Sequence, residues 1–249
     1  MFSFREPNGL VVDNAMFTDH PDIINEEPVA TLASSEDLEQ VNRNPLVRAR
    51  ATLTYALEHE KDLDKEALKT ARLSLAYVHL AFQDYELALQ MAKKVLLSPE
   101  PPNTADDVTK MSHKRAIATA RMYAAEASCA IGESVNAMKF LVGDGQDDAF
   151  DRLASDLGGV TLETASTLGN GKGKRRLARA QGIVRSSASA VTAAMGNLTA
   201  AKQLAMSAQA MEDACASNRE RSSARRALIY TLLREGQNGP ALSLLRSLR

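Results

Sequence analysis

From Asn44 onward, apolar and small residues recur at spacings of three and four, the period of a helix that buries one face. Stretches that alternate apolar with polar are scarce, so little of the chain reads as strand. The periodic segments predict helices at about 45–60, 66–81, 84–97, 108–131, 134–142, 174–194, 198–215, 219–235 and 238–248. Short polar joints separate many of them: "FQD" at 82–84, "IGE" at 131–133, "MGN" at 195–197 and "EGQNG" at 235–239. Alanine is frequent in these segments, which favours helices whose backbones approach closely.

Four of the joints share a frame. Gln83 precedes Ala88, Gly132 precedes Ala137, Gly196 precedes Ala201 and Gly236 precedes Ala241, each at an offset of five. The surrounding segments "LAYVHLAFQDYELALQMAKKV", "AAEASCAIGESVNAMKFLV", "ASAVTAAMGNLTAAKQLAMSA" and "LIYTLLREGQNGPALSLLRSL" superpose without gaps, so the chain carries an internal repeat. A glycine suits a tight turn between antiparallel helices, and a small residue suits the place where they cross. Ala76 with Ala88, Ala125 with Ala137 and Ser189 with Ala201 occupy those crossings. A stripe such as Ala88, Ala92, Val95, or Ala241, Leu245, Leu248, is predicted to face a neighbouring helix, so single hairpins must stack.

The unit resembles the tetratricopeptide repeat, a helix–turn–helix with a small residue on its first helix and an alanine on its second. The fullest copy is residues 69–102, with Leu75, Ala76, Asp84, Tyr85, Ala88, Ala92, Val95 and a closing Pro99; Arg72 stands where the repeat favours tryptophan. The expected fold class is therefore all-α, with tetratricopeptide-like hairpins stacked as an α-solenoid. Successive turns are 49, 64 and 40 residues apart, which predicts connecting linkers at 98–112 and a flexible one at 143–173. The expected organisation is an acidic arm without regular structure over 1–43, then the solenoid over 44–249.

In tetratricopeptide arrays the first helices line a concave face. The resemblance then points to Leu73, Tyr77 and Leu80, to Met122, Glu126 and Cys129, to Ser186, Ala190 and Ala193, and to Arg226, Tyr230 and Arg234 as a partner-binding groove. Its first two units offer an apolar floor suited to a partner helix or an extended apolar segment. The asparagine and lysine clamp of chaperone-binding members is missing from this pattern.

Charge adds one feature. The net charge is −1, yet residues 1–40 hold nine acids against Arg5, whereas residues 172–249 hold fourteen lysines and arginines against four acids. The basic run "GKGKRRLARAQGIVR" includes Lys172, Lys174, Arg175, Arg176 and Arg179, a candidate patch for an acidic partner or for RNA phosphates. It lacks interleaved aromatics for base stacking. A solvated linker and helix start is the reading preferred here, with RNA contact as the second.

Catalytic chemistry finds little purchase. "GNGKGKRR" departs from a phosphate-binding loop, because Arg175 follows Gly173-Lys174 and Leu168 stands at the first glycine position. His20, His59, His79 and His113 share no metal-ligand spacing, and Cys129 and Cys215 read as reduced, small core residues. Asp106-Asp107 and Asp147-Asp148 fall in linkers. The expectation is a protein that is not an enzyme, with no cofactor, metal or small-molecule substrate. No apolar run is long enough to span a bilayer and no secretory leader is evident, which predicts a cytoplasmic or also nuclear location.

One family resembles the chain more closely than the generic repeat does. "LKTARLSLAYVHLAFQDYELALQMAKKVLLSPEP" followed, after a linker, by "ARMYAAEASCAIGESVNAMKFLV" is similar to the C-terminal part of subunit ten of the Ccr-Not mRNA deadenylase complex. The stretch "YAAEA" at Tyr123–Ala127 is the distinctive part; residues 66–142 carry most of the similarity, and 182–248 agree in order and spacing. The resemblance implies a scaffold acting in mRNA deadenylation, mRNA turnover and translational repression. It also implies two protein partners, subunit eleven and the large central scaffold subunit of the complex.

Overall fold

The computed structural model describes residues 44–143, 145, 148–160, 171–213 and 222–246. The acidic arm over 1–43, most of the Gly-rich segment that precedes Lys172, Cys215 and Leu248 lie outside the described residues. Among the described residues the regular structure is entirely helical. Ten α-helices follow in order: α1 (Pro45–Glu58), α2 (Lys65–Phe82), α3 (Tyr85–Leu96), α4 (Asp107–Ala130), α5 (Ser134–Val142), α6 (Ala149–Gly158), α7 (Lys172–Ala194), α8 (Leu198–Asp213), α9 (Ser222–Arg234) and α10 (Asn238–Arg246).

Local sequence sets several of the helix starts. Asn44 caps α1 by accepting from the Leu46 amide at 3.0 Å, with Pro45 in the first turn where its missing N–H costs nothing. Asp64 caps α2 through the amides of Glu66 and Ala67, and Asp106 caps α4 through that of Thr109 at 2.9 Å. The Thr109 hydroxyl first, and that amide second, hold the Asp106 carboxyl below its ordinary value.

The four joints adopt one hydrogen-bonded turn, repeated atom for atom. At the first, the Gln83 amide donates to Leu80 O, the Asp84 amide to His79 O and the Ala88 amide to Asp84 O. The same three bonds recur around Gly132 (to Cys129 O, Ser128 O and Glu133 O), around Gly196 (to Ala193 O, Thr192 O and Asn197 O), and around Gly236 (to Leu233 O, Leu232 O and Gln237 O). This is a Schellman C-cap that hands the chain directly to the next helix. It requires a left-handed residue, with φ of 66° at Gln83, 91° at Gly132 and Gly196, and 75° at Gly236. Ala88, Ala137, Ala201 and Ala241, which donate the first helical bond after each turn, are 0–1% exposed.

The predicted crossings are equally tight. Ala76, Ala125 and Ser189, twelve residues before their alanine partners, have no exposed surface, and Ser189 Oγ donates to Ala201 O across the crossing at 2.7 Å. Four hairpins result: α2–α3, α4–α5, α7–α8 and α9–α10. Their first helices pack in sequence, α2 on α4, α4 on α7 and α7 on α9, and each second helix packs on the next first helix, α3 on α4, α5 on α7 and α8 on α9. One apolar core runs through the first three hairpins, from Leu80 and Val95 through Tyr123 and Leu141 to Val184 and Val191. A smaller cluster of Ala205, Ala227, Leu228, Ile229, Leu232 and Ala241 holds the fourth.

The expected flexible linker at 143–173 is corrected in one part. Helix α6 lies within it and packs against α4, α5 and α7, with Leu153 and Ala154 wholly buried and Leu157 nearly so. Its last turn touches α7 closely: a Cβ on Gly158 would stand 3.4 Å from Ala180 Cβ and 3.5 Å from Arg176 O. Asp151 of α6 accepts from Gln181 at 3.1 Å and Arg185 at 2.9 Å, tying the wedge to α7. Apolar burial decides the matter, since Phe150, Leu153, Ala154 and Leu157 form one helical stripe with a neighbour to cover it.

Candidate protein-interaction surface

The predicted groove positions separate into two groups once burial is known. Leu73, Leu80 and Met122 are 7%, 1% and 0% exposed and belong to the core, and Ser186, Ala190 and Ala193 are buried as well. They are too deeply buried to form an open groove floor. Helices α2, α4, α7 and α9 pack on one another, so positions that resemblance alone assigns to a concave face sit inside the stack. Tyr77, Glu126 and Cys129 remain partly exposed, and so do Arg226 and Tyr230, with Arg234 exposed.

At the first two hairpins the partly exposed residues frame a buried aromatic. The ring of Tyr77 lies 6.3 Å from that of Tyr123, tilted by 37°. Tyr123 has no exposed surface, and its hydroxyl has no hydrogen-bond partner, so burial pushes its pKa well above the ordinary value. Burial likewise, with the nearby Glu126 carboxylate adding to it, pushes the Cys129 thiol up to about 11. A thiol so held stays protonated at neutral pH and is a packing group, not a nucleophile.

At the last hairpin the accessible groups are cationic and aromatic. Arg234 donates to the Tyr230 hydroxyl at 3.0 Å and lies 5.7 Å over its ring. Leu233, Leu242 and Leu245 of the same hairpin are about half exposed, at 48%, 51% and 51%. The predicted stripe through Ala241 and Leu245 is thus covered at Ala241 and open at Leu245.

The basic patch occupies the first two turns of α7. Lys172, Lys174, Arg175 and Arg176 are exposed and Arg179 is partly buried. Five cations at a helix N-terminus oppose the macrodipole, so this placement is tolerated by solvation and by packing of the helix's other face, where Leu177 and Ala180 are buried. Among the described residues no acidic side chain pairs with Lys172, Lys174 or Arg176.

Two buried polar groups escape sequence reasoning. Lys69 of α2 and His113 of α4 are both buried, with Lys69 Nζ 3.3 Å from His113 Nδ1 and also paired to Glu66. The neutral imidazole accepts from the ammonium; burial first, and the Lys69 charge second, push the His113 pKa below its ordinary value. Each looks like a surface residue in sequence, and the 44 residues between them conceal their pairing. Among the described residues no group of three or more histidine, cysteine, aspartate or glutamate side chains is placed to hold a metal, and no helix is long and apolar enough to cross a membrane.

Comparison of the chain with protein families, with curated proteins and with solved structures found no match.

Proposed function

We propose that this chain is a non-catalytic scaffold that binds protein partners through stacked, tetratricopeptide-like hairpins arranged as an α-solenoid. The observation that carries the reading is the fourfold recurrence of one turn, three identical hydrogen bonds followed by a buried alanine, in hairpins that each pack on their neighbour. Such nearest-neighbour stacks present long side-chain surfaces and are built to hold other proteins. The resemblance of residues 66–142 to subunit ten of the Ccr-Not complex supports a place in mRNA deadenylation, with subunit eleven and the large central scaffold subunit as partners. Purifying the full chain from its native cell tests this. Recovery of deadenylase and Not-type subunits is the expected outcome, and their absence from a preparation rich in other partners would sink the specific assignment.

A second reading is an adaptor that binds RNA through α7. It is favoured by Lys172, Lys174, Arg175 and Arg176, which are solvent-exposed on adjoining turns. Changing these four to glutamine would then weaken RNA binding across all sequences and lower the slope of log affinity against log salt by roughly one for each phosphate no longer neutralised. An unchanged slope rules this reading out.

A further inference from the structure

Between Glu163 and Glu212 the chain carries no acid but seven lysines and arginines. Arg185 is spent on Asp151 at 2.9 Å and Lys202 on Glu235 at 3.1 Å, and Arg175 and Arg179 have contacts of their own. Lys172, Lys174 and Arg176 are exposed, and no acid among the described residues pairs with them. The carboxylates of neighbouring α6 are committed elsewhere: Asp148 at its start to Arg152, Asp151 to Arg185, while Asp156 faces Lys114, Arg121 and Arg152. Lys172 and Arg176, one turn apart, repel each other and, with Lys174, oppose the dipole of α7. Gly173 and Leu177 fix the orientation of this turn by being buried, so the three cations stay on the outside. The result is a cationic strip whose charge is relieved only by an anion from beyond the described helices.

We propose that the chain's own acidic arm, over residues 13–39, lies along the start of α7 with its carboxylates on Lys172, Lys174 and Arg176. Charge complementarity carries the choice of occupant. Residues 1–40 hold nine acids against Arg5, gathered at Asp19, Asp22, Glu26 and Glu27 and again at Glu36, Asp37 and Glu39. Exposed ion pairs are individually weak, so an untethered acidic peptide gains little from three of them. Covalent attachment changes this, because a tethered segment meets its site at an effective concentration on the order of millimolar. Reach is no obstacle: 43 residues extend to roughly 140 Å, about four times the length of the 23-residue α7. With the arm in place the strip is screened from other polyanions, and any acidic partner or RNA that uses it must first displace the arm. The inference rests on the placement of charge and is independent of both the Ccr-Not assignment and the RNA reading of α7.

Zero-length carbodiimide coupling of the purified full chain tests this, because it joins a carboxylate to a lysine amine only where the two touch. Mixing isotopically heavy and light chains before coupling separates links within one chain from links between two. The expected result is links within one chain from the arm's acids to Lys172 and Lys174, several-fold more abundant than those to the exposed Lys93 and Lys94. They should fall several-fold in Arg176→Gln, which removes a charge but no coupling group, and in about 0.5 M salt, where exposed pairs are screened. Arm links spread evenly over exposed lysines, links chiefly between chains, no arm links, or links indifferent to Arg176→Gln and to salt would each overturn the inference. A second readout uses single-stranded oligouridylate as the polyanion. If it binds the native chain, changing Glu36, Asp37 and Glu39 to the matching amides should tighten binding several-fold, and unchanged binding counts against the arm. If it binds neither form while the links are found, the arm contact stands and the RNA reading falls.

Discussion

Gln83 occupies a backbone conformation that the three equivalent turns give to glycine. A left-handed residue with a Cβ costs about 1–2 kcal/mol, partly offset because glycine gains more entropy in the unfolded chain. Gln83→Gly is therefore expected to stabilise the protein by up to about 1 kcal/mol, and Gly132→Gln to destabilise it by a similar amount, as read from denaturant midpoints. Equal midpoints for both variants would contradict the turn geometry. His113 makes a second residue-level prediction. Its folded pKa lies below the value of an unfolded histidine, near 6.5, so the unfolded chain binds the proton more readily. Stability should hold above about pH 6.5 and fall as pH drops below it, through the lowered folded pKa, and His113→Gln should flatten that decline in a series of melting curves. The turn residues can be read from spacing alone, because their conformation is local. The Lys69–His113 pair cannot, because it depends on which helix stacks on which.

At the scale of elements, periodicity places nearly every helix within a few residues, since alanine-rich stripes and polar joints leave few alternatives to a helical hairpin. Helix α6 is the exception. Its stripe of Phe150, Leu153, Ala154 and Leu157 has the right spacing, but the short stretch between Asp147-Asp148 and Gly158-Gly159 resembles a solvated connection until a neighbour is known. Leu153→Ala distinguishes the two cases: a linker would tolerate it, whereas a buried leucine removed from the core should cost about 2–5 kcal/mol by chemical denaturation. The apolar groove fails for a related reason. Leu73, Leu80 and Met122 sit on the predicted helix faces, yet a face says nothing about coverage until the next helix is docked. The accessible remainder, from Tyr77 to Arg234, is smaller and more polar than the apolar floor that resemblance alone implies.

For the whole molecule, packing passes mainly between neighbours, and the accessible surfaces follow from that arrangement. Side faces of the stack are left polar or cationic, as at the start of α7, while Leu233, Leu242 and Leu245 of the fourth hairpin are about half exposed. In such an array each hairpin borrows stability from the one beside it, so a change that loosens the third hairpin should lower the stability of the fourth as well.

Helix α6 gives the stack a consequence of its own. Because it touches the second hairpin and the third together, the two cannot separate without also releasing Leu153 and the Asp151–Arg185 pair. The fourth hairpin has no such rivet among the described residues and a separate, smaller cluster of apolar residues. Under tension the chain should behave like a hinge at one end of a stiff beam: the terminal pair of helices yields first and re-forms easily, while the riveted middle keeps its length.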